Sequence, residues 1–443
     1  MRVTRLPRDP GPAGWNRLLP DPDPALRLED KITADWLVIG AGFAGLAAAH
    51  RLSQKVEGAR IVVLDALRVG DGPAGRNSGF MIDLPHDLTS HDYGGALDAD
   101  IAQTQDNRTG IVHAAAMAEE YGLSPEAFSM SGKINGAASA KGTAHNHTFA
   151  RHLEAMSEPH EMLDATQMRD LTGTEYYESG LFTPGSAMIQ PALFVRGVAR
   201  GLRSNRVHLY ENSPVIALER QGDWIARTPK GQVTAPRVIL AVNGHLNSFG
   251  HMQGRLMHVF TYASMTRALS PEEVASQGGR PIWGLTPADP MGTTVRRISG
   301  MGGDRIVIRN RFTFDPKMEV NAARIARVGR DHDRAFARRF PQLAGIEMEY
   351  RWGGRLCLSR NNVQVVGELD QGLYSACCQN GLGTAKGTLA GGLAADMSMG
   401  LSSPALERAL AAEAPTRLPP DPITRLGANL HIRLAELRAG REL

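Results

Sequence analysis

Cysteine is nearly absent from this chain of 443 residues: only Cys357, Cys377 and Cys378 occur, and two of them are adjacent. That excludes a disulfide scaffold and a Cys-x-x-Cys metal site, and it suits a reducing compartment. Long apolar runs are missing as well. The longest, Leu37 to Ala49, carries three glycines and is too short to cross a bilayer. Met1 to Asp30 holds no apolar signal-like core, so the expected location is the cytoplasm. Nor is there charge of one sign: the formal net charge is +3, which argues against a nucleic-acid binder working through a basic stripe. Lysine is scarce among the basic residues. What remains, 42% hydrophobic and 21% charged residues, is the balance of a soluble globular chain long enough for two or three cores.

Six prolines between Pro7 and Pro24 predict an extended arm over residues 1–30 rather than an element. Asp35 to Ile39 then reads as a buried strand, Gly40 to Gly45 as a turn, Leu46 to Gln54 as a helix and Arg60 to Asp65 as a second strand. This is a β-α-β unit of the length a parallel crossover requires. Further on, helices are expected over Ile111–Tyr121, His152–Leu171, Pro191–Leu202, Ala322–Phe340 and the stretch after Pro420. Strands are expected over Val207–Tyr210, Val215–Arg220, Trp224–Thr228, Arg237–Val242, Tyr350–Val366 and Leu373–Cys377.

The turn has the form Gly-x-Gly-x-x-Gly between a strand and a helix, and Asp65 ends the next strand twenty residues after Gly45. Gly40 allows the tight turn, Gly42 lets a pyrophosphate approach the backbone, and Gly45 lets helix pack on strand. The helix start at Phe43 and Ala44 offers N–H groups, and Asp65, followed by Ala66, accepts from a ribose hydroxyl. An acid there disfavours a 2′-phosphate, so NADP is not expected.

Three further segments carry a resemblance. Gly70-Asp-Gly-Pro-Ala-Gly-Arg-Asn-Ser-Gly-Phe80, Val238-Ile-Leu-Ala-Val-Asn-Gly244 and Gln379-Asn-Gly-Leu-Gly-Thr384 follow the fingerprint in that order. Over residues 34–400 the chain resembles the D-amino-acid oxidase-type (DAO) flavoprotein family, which includes glycine, sarcosine and γ-glutamylputrescine oxidases and amino-acid dehydrogenases. The resemblance implies an α/β fold, α+β in part. A Rossmann-like FAD-binding domain (31–100, 190–255 and 350–400) would interleave with a mixed-sheet substrate domain (101–189 and 256–349), followed by a C-terminal helical segment over 401–443.

The same resemblance assigns roles. Arg76, Asn77, Ser78 and Gly79 would lie against phosphate or flavin. The backbone of Val215 would touch adenine, Asn243 and Gly244 would close the returning strand, and Asn380, Gly381, Leu382, Gly383 and Thr384 would aim a helix start at the pyrimidine end of the flavin. Arg355 and Lys386 are the candidates for holding a substrate carboxylate, and Tyr262 and His258 for facing the cavity. No His lies between Leu67 and Pro85, and Cys357 is displaced from the family's attachment position, so noncovalent FAD is expected. The activity implied is oxidation of an amine or amino acid to an imine by hydride transfer to flavin N5, with oxygen or an electron carrier as acceptor. The gap in lysine between Lys230 and Lys317 favours a dehydrogenase. Oxidation of a 2-hydroxy acid, with His258 as base, and a flavin subunit docking through its arm and Arg-rich C-terminus are the alternatives. No metal is expected. Asp83 to Asp87 with His91 and Asp92 match no standard ligand spacing, and His145, His147, His152 and His160 read as solvated.

Overall fold

Two large sheets divide the computed structural model, which describes residues 1–85 and 94–443. The first has six strands in the order Val207–Tyr210, Ile61–Leu64, Trp36–Ile39, Arg237–Leu240, Leu373–Cys377 and Val365–Asp370; all neighbours are parallel except the last pair. Two of its inner strands, Trp-Leu-Val-Ile and Ile-Val-Val-Leu, are buried at every position, as parallel strands covered on both faces must be. Val38, Ile61 and Val63 face the helices Phe43–Lys55, Leu97–Glu120, Pro191–Leu202 and Ala385–Ser398. Leu37, Ile39, Val62 and Leu64 pack with Leu218, Trp224 and Val233 of a four-stranded sheet on the opposite side.

The helix layer closes through small residues. A Cβ on Gly45 would overlap the Gly40 carbonyl, and one on Gly391 would overlap the Ala44 carbonyl. The fingerprint helix is thereby seated tightly on both its own turn and the helix Ala385–Ser398.

The second sheet has eight strands, in the order Met348–Ser359, Leu256–Thr266, Arg305–Phe314, Thr294–Ile298, Trp283–Pro287, Lys133–Ala137, Ser179–Thr183 and Glu161–Leu163. All its pairs are antiparallel except Trp283–Pro287 with Lys133–Ala137. Arg296, from its fourth strand, donates to the carbonyls of Ser78, Gly79 and Ile189 and so ties this sheet to the loop after the fingerprint unit.

Several expectations need correction. The segment His152–Leu171 is not one helix: a helix ends at Ala155, Glu161–Leu163 is a strand, and a new helix starts at Ala165 under an Asp164 capping box. Tyr350–Val366 is not one strand either, because Met348–Ser359 pairs with Leu256–Thr266 in the eight-stranded sheet while Val365–Asp370 borders the parallel one. The helix Leu97–Glu120, placed by sequence in the substrate half, packs on the cofactor side, where a Cβ on Gly110 would overlap the Ala385 carbonyl. The strand after Pro214 begins at Ala217 rather than Val215. The N-terminal arm contains a short helix, Gly14–Arg17, and is packed down: Trp15 is fully buried and donates to the Asn77 carbonyl.

Candidate active site

A long cavity runs between the two sheets. One end is walled by Gly40, Gly42, Phe43, Ala44, Asp65 and Ala66, with Ser213 and Val215 beside them. The other is reached past Asn77, Ser78, Asn243 and Gly244, and ends on Gly381, Leu382, Gly383 and Thr384. These sites come from three distant segments because the parallel sheet delivers the carboxyl ends of Trp36–Ile39, Ile61–Leu64, Arg237–Leu240 and Leu373–Cys377 to one edge.

The backbone prepares both ends for an anion or an electron-rich ring. Gly40 stands at φ +105°, a conformation side chains rarely adopt, and Gly42 caps the fingerprint helix without a side-chain hydrogen bond. Thr384 caps the helix Ala385–Ser398 and also leaves the first amides uncapped, since its hydroxyl donates to the Phe80 carbonyl at 2.6 Å. Two helix starts thus converge on the cavity wall. Asp65 is half-buried, and its oxygens accept from the amides of Ala41 (2.7 Å) and Leu67 (2.8 Å). Burial nevertheless outweighs those bonds and pushes its carboxyl up to about 6. Gln379, which lines the far end, keeps a buried Oε1 with no partner, an acceptor ready for a donor. A long, glycine-lined slot with an acid at one end and open backbone donors at both fits FAD.

Not every residue expected there reaches it. Gly45 sits behind the turn and serves packing. The Arg76 guanidinium turns away, donating to the carbonyls of Asp71, Gly11 and Gly353, and Asn77 spends its side chain on its own turn with Ala74 and Gly79. Gly79 lies under Arg296, and the Asn380 side-chain oxygen accepts from the Ser359 amide at 2.7 Å. Gly45, Arg76, Gly79 and Asn380 hold the cavity's framework and are not among its lining, whereas Asn77 lines it.

Among the four candidates for chemistry, only Arg355 lines the cavity. Its guanidinium is bonded to His245 and lies 3.5 Å from Asp9 of the N-terminal arm, so its charge is already matched. Burial pulls its pKa down. Lys386 points to the helix Leu97–Glu120, with Nζ 3.1 Å from the side-chain oxygen of Gln103. Tyr262 faces the helix Ala322–Arg339 with Ile325 and Val328, its hydroxyl 2.6 Å from that of Thr313. His258 sits behind Gly244, where burial and then the Arg355 charge depress it to about 4. Asp83 is buried and accepts from Arg108 and Ser186, whereas His86, Asp87, His91 and Asp92 lie outside the described residues. His152 is not solvated but bonds Asp100 at 2.8 Å.

The structure adds residues that the motifs do not indicate. Arg309, Thr294 and Thr286 form one row across three adjacent strands, Thr294 pairing directly with Arg309, and all three line the cavity. Thr286 in turn donates to the Asn135 side chain at 2.8 Å, and Asn135 accepts from buried Lys133. Burial lowers that lysine to about 8. In the sequence Arg309 only follows the buried run Ile306-Val-Ile308, between Arg305 and Arg311, and nothing there sets it apart. From the arm, Val3, Arg5, Leu6 and Pro7 complete the rim.

A parallel sheet with a glycine-cradled dinucleotide slot, faced by a second sheet bearing polar side chains, is the architecture of a flavoprotein oxidoreductase. The family model described as FAD dependent oxidoreductase (DAO) matches residues 35–397, and the chain belongs to that family. It is similar to the γ-glutamylputrescine oxidoreductase of Escherichia coli K12, with 26% identity over 84% of this chain and 85% of that protein. It is also similar to a probable oxidoreductase OrdL of Rhizobium meliloti, with 23% identity over 90% of each. Glycine oxidase from Geobacillus kaustophilus has the same fold, with a TM-score of 0.70, 18% identity, and coverage of 88% of this chain and 100% of that one. The cofactor is accordingly FAD.

Proposed function

We propose that the protein oxidises the C–N bond of an amino acid or other amine to an imine, with Arg309 holding the substrate's acid group. FAD, when bound, supplies the hydride acceptor. The observation that carries this reading is the row of Thr286, Thr294 and Arg309 on the sheet that faces the glycine-lined slot. A guanidinium with neighbouring hydroxyls is a fork for a carboxylate, and sheet residues hold it rigidly. Arg355 lines the cavity too, but at its rim with the N-terminal arm, bonded to His245 and 3.5 Å from Asp9.

Amine oxidation requires no side-chain base once the amine is neutral, and the histidines here fit that economy. His245 is bonded to Arg355 and Ser248, and His258 stands behind Gly244. A 2-hydroxy acid would need a base at the cavity; His258 does not line it, and His245, which does, is bonded to the Arg355 guanidinium. The relatives' names, γ-glutamylputrescine oxidoreductase and glycine oxidase, point to amine chemistry as well. Noncovalent attachment is favoured by the state of Cys357. It lines the cavity, but contact with the Cys378 thiol and burial hold its thiol well above the ordinary range, far from a reactive thiolate.

The test is anaerobic reduction of the bound flavin by panels of amino acids, plain amines and 2-hydroxy acids. Bleaching by an amine-bearing substrate is expected. Losing a desolvated, charge-assisted contact costs roughly 2–5 kcal/mol, so Arg309→Ala should slow reduction by an amino acid some thirty- to several-thousand-fold. Dithionite reduction and FAD content should be unchanged. Bleaching by hydroxy acids alone, or an unaffected Arg309→Ala variant, defeats the proposal.

A further inference from the structure

The helix Ile423–Ala439 has two apolar faces, and the fold uses only one. Ala428 and Ile432 pack on Val259, Phe312 and Phe314 of the eight-stranded sheet, and Glu436 bonds Arg311 and the Phe312 amide. On the opposite side stand Ile423, Leu426, Leu430, Leu434 and Leu437, exposed by 62%, 70%, 60%, 44% and 77%. At about 100° per residue these five fall within a stripe roughly 80° wide, directly away from the sheet. Single exposed leucines are ordinary on a surface, whereas five in a row form a patch.

The spacing along the stripe is three, four, four and three residues, which reads the same from either end. We propose that a second copy of this chain covers it: the two helices pair antiparallel across a two-fold axis at Leu430. Ile423 then meets Leu437 of the partner subunit, Leu426 meets the partner's Leu434, and Leu430 meets its own equivalent. A self-complementary patch of this kind closes as an isologous dimer.

The charges fit the same operator. Arg433 comes opposite the partner's Gly427, around which nothing lies within 4 Å of a Cβ position, and Arg438 comes opposite Pro422 of the partner subunit, next to Asp421. A parallel pairing would instead set each arginine against its own copy. A lipid surface could take leucines flanked by arginines, but it would have no use for symmetry about Leu430. Covering the stripe removes on the order of 500 Å² from each copy, about 1,000 Å² in total, the lower bound for a specific interface.

Analytical ultracentrifugation of the FAD-loaded protein at micromolar concentration should give twice 47.8 kDa. Leu430→Glu brings two carboxylates together on the axis and should yield a monomer with unchanged FAD content and unfolding midpoint. Gly427→Glu, facing Arg433 of the partner subunit, should tighten the dimer, and Gly427→Arg should weaken it at least tenfold. Both replacements raise helix propensity over glycine, so opposite signs can come only from pairing. Under mild oxidant Leu430→Cys should cross-link two chains, while Val112→Cys, 67% exposed on another helix, should not; the native cysteines are buried. A wild-type monomer, a Leu430→Glu dimer or Gly427 variants moving in the same direction would each overturn the proposal. So would a monomer that floats with phosphatidylglycerol vesicles through this stripe.

Discussion

Glycines in this cavity divide by what surrounds them. A Cβ on Gly42 would meet only the Ala74 methyl at 3.5 Å, and one on Gly383 only Gln379 at 4.0 Å, so both face the slot with room behind them. Gly45 and Gly391 instead have carbonyls where a Cβ would go. Gly42→Val and Gly383→Asp should therefore give colourless protein that still unfolds cooperatively, because the added atoms occupy cofactor space. Gly45→Ala and Gly391→Ala should lose the fold itself, since backbone cannot yield as a side chain can. Absorbance at the flavin band together with a melting curve separates the two outcomes, and a Gly42→Val variant with full FAD would refute the division. Fifteen of the nineteen residues selected from the motifs as a cofactor wall line the cavity, because a glycine turn after a strand carries its geometry in the sequence. The four that miss it are Gly45, Arg76, Gly79 and Asn380; the Arg76 guanidinium bonds the carbonyls of Asp71, Gly353 and Gly11, the last two far away in the chain.

At the level of elements, the proline-rich arm was the hardest to read. Prolines prevent a regular element, which is visible in the sequence, but they say nothing about where an extended chain lies. Here it crosses the cavity rim, pairs Asp9 with Arg355, lets Gly11 accept from Arg76 and buries Trp15 against Trp352. The Asp9 and Arg355 side chains are 2% and 6% exposed. Removing one partner of such a pair strands a buried charge, at a cost of about 3–5 kcal/mol, whereas replacing both by apolar groups is nearly neutral. Asp9→Leu should thus lower the unfolding midpoint markedly and loosen FAD, and Asp9→Leu with Arg355→Leu should recover most of the stability. Denaturant titration of the wild type, both single variants and the double variant measures the coupling. Additive effects would mean that the arm is held by Trp15 and the backbone alone. Element boundaries failed for a related reason. Met348–Ser359 and Val365–Asp370 are both strand-like, and only their partners reveal that a short turn carries the chain from one sheet to the other.

Across the whole molecule, the two-sheet design places several histidines where water does not reach. His245, His258 and His332 are 8%, 4% and 1% exposed. Burial is the largest cause of depression in each: His258 titrates near 4, His332 near 3, and His245 well below its ordinary value. In the unfolded chain all three take up protons near pH 6.5. Between about pH 6.5 and 4 the unfolded state therefore binds more protons, so stability is full above this window and falls as the pH drops through it. Asp65 works in the other direction. Its carboxyl is raised from 3.8 to about 6 in the fold, so the folded state binds the extra proton between those values and regains some stability on acidification. From pH 7 to 5 His258 and His332 each lose about 2 kcal/mol, His245 loses in the same direction and Asp65 returns about 1, so the balance is a net loss of stability. The folded protein should unfold at clearly lower temperature at pH 5 than at pH 7, at fixed FAD and salt. His332→Gln should flatten that dependence by close to one proton, because the side chain no longer titrates while an amide can still bond Ser264, now 2.7 Å from Nδ1. A midpoint that holds steady or rises between pH 7 and 5 would show that these histidines are protonated in the fold, with water or a carboxylate reaching them.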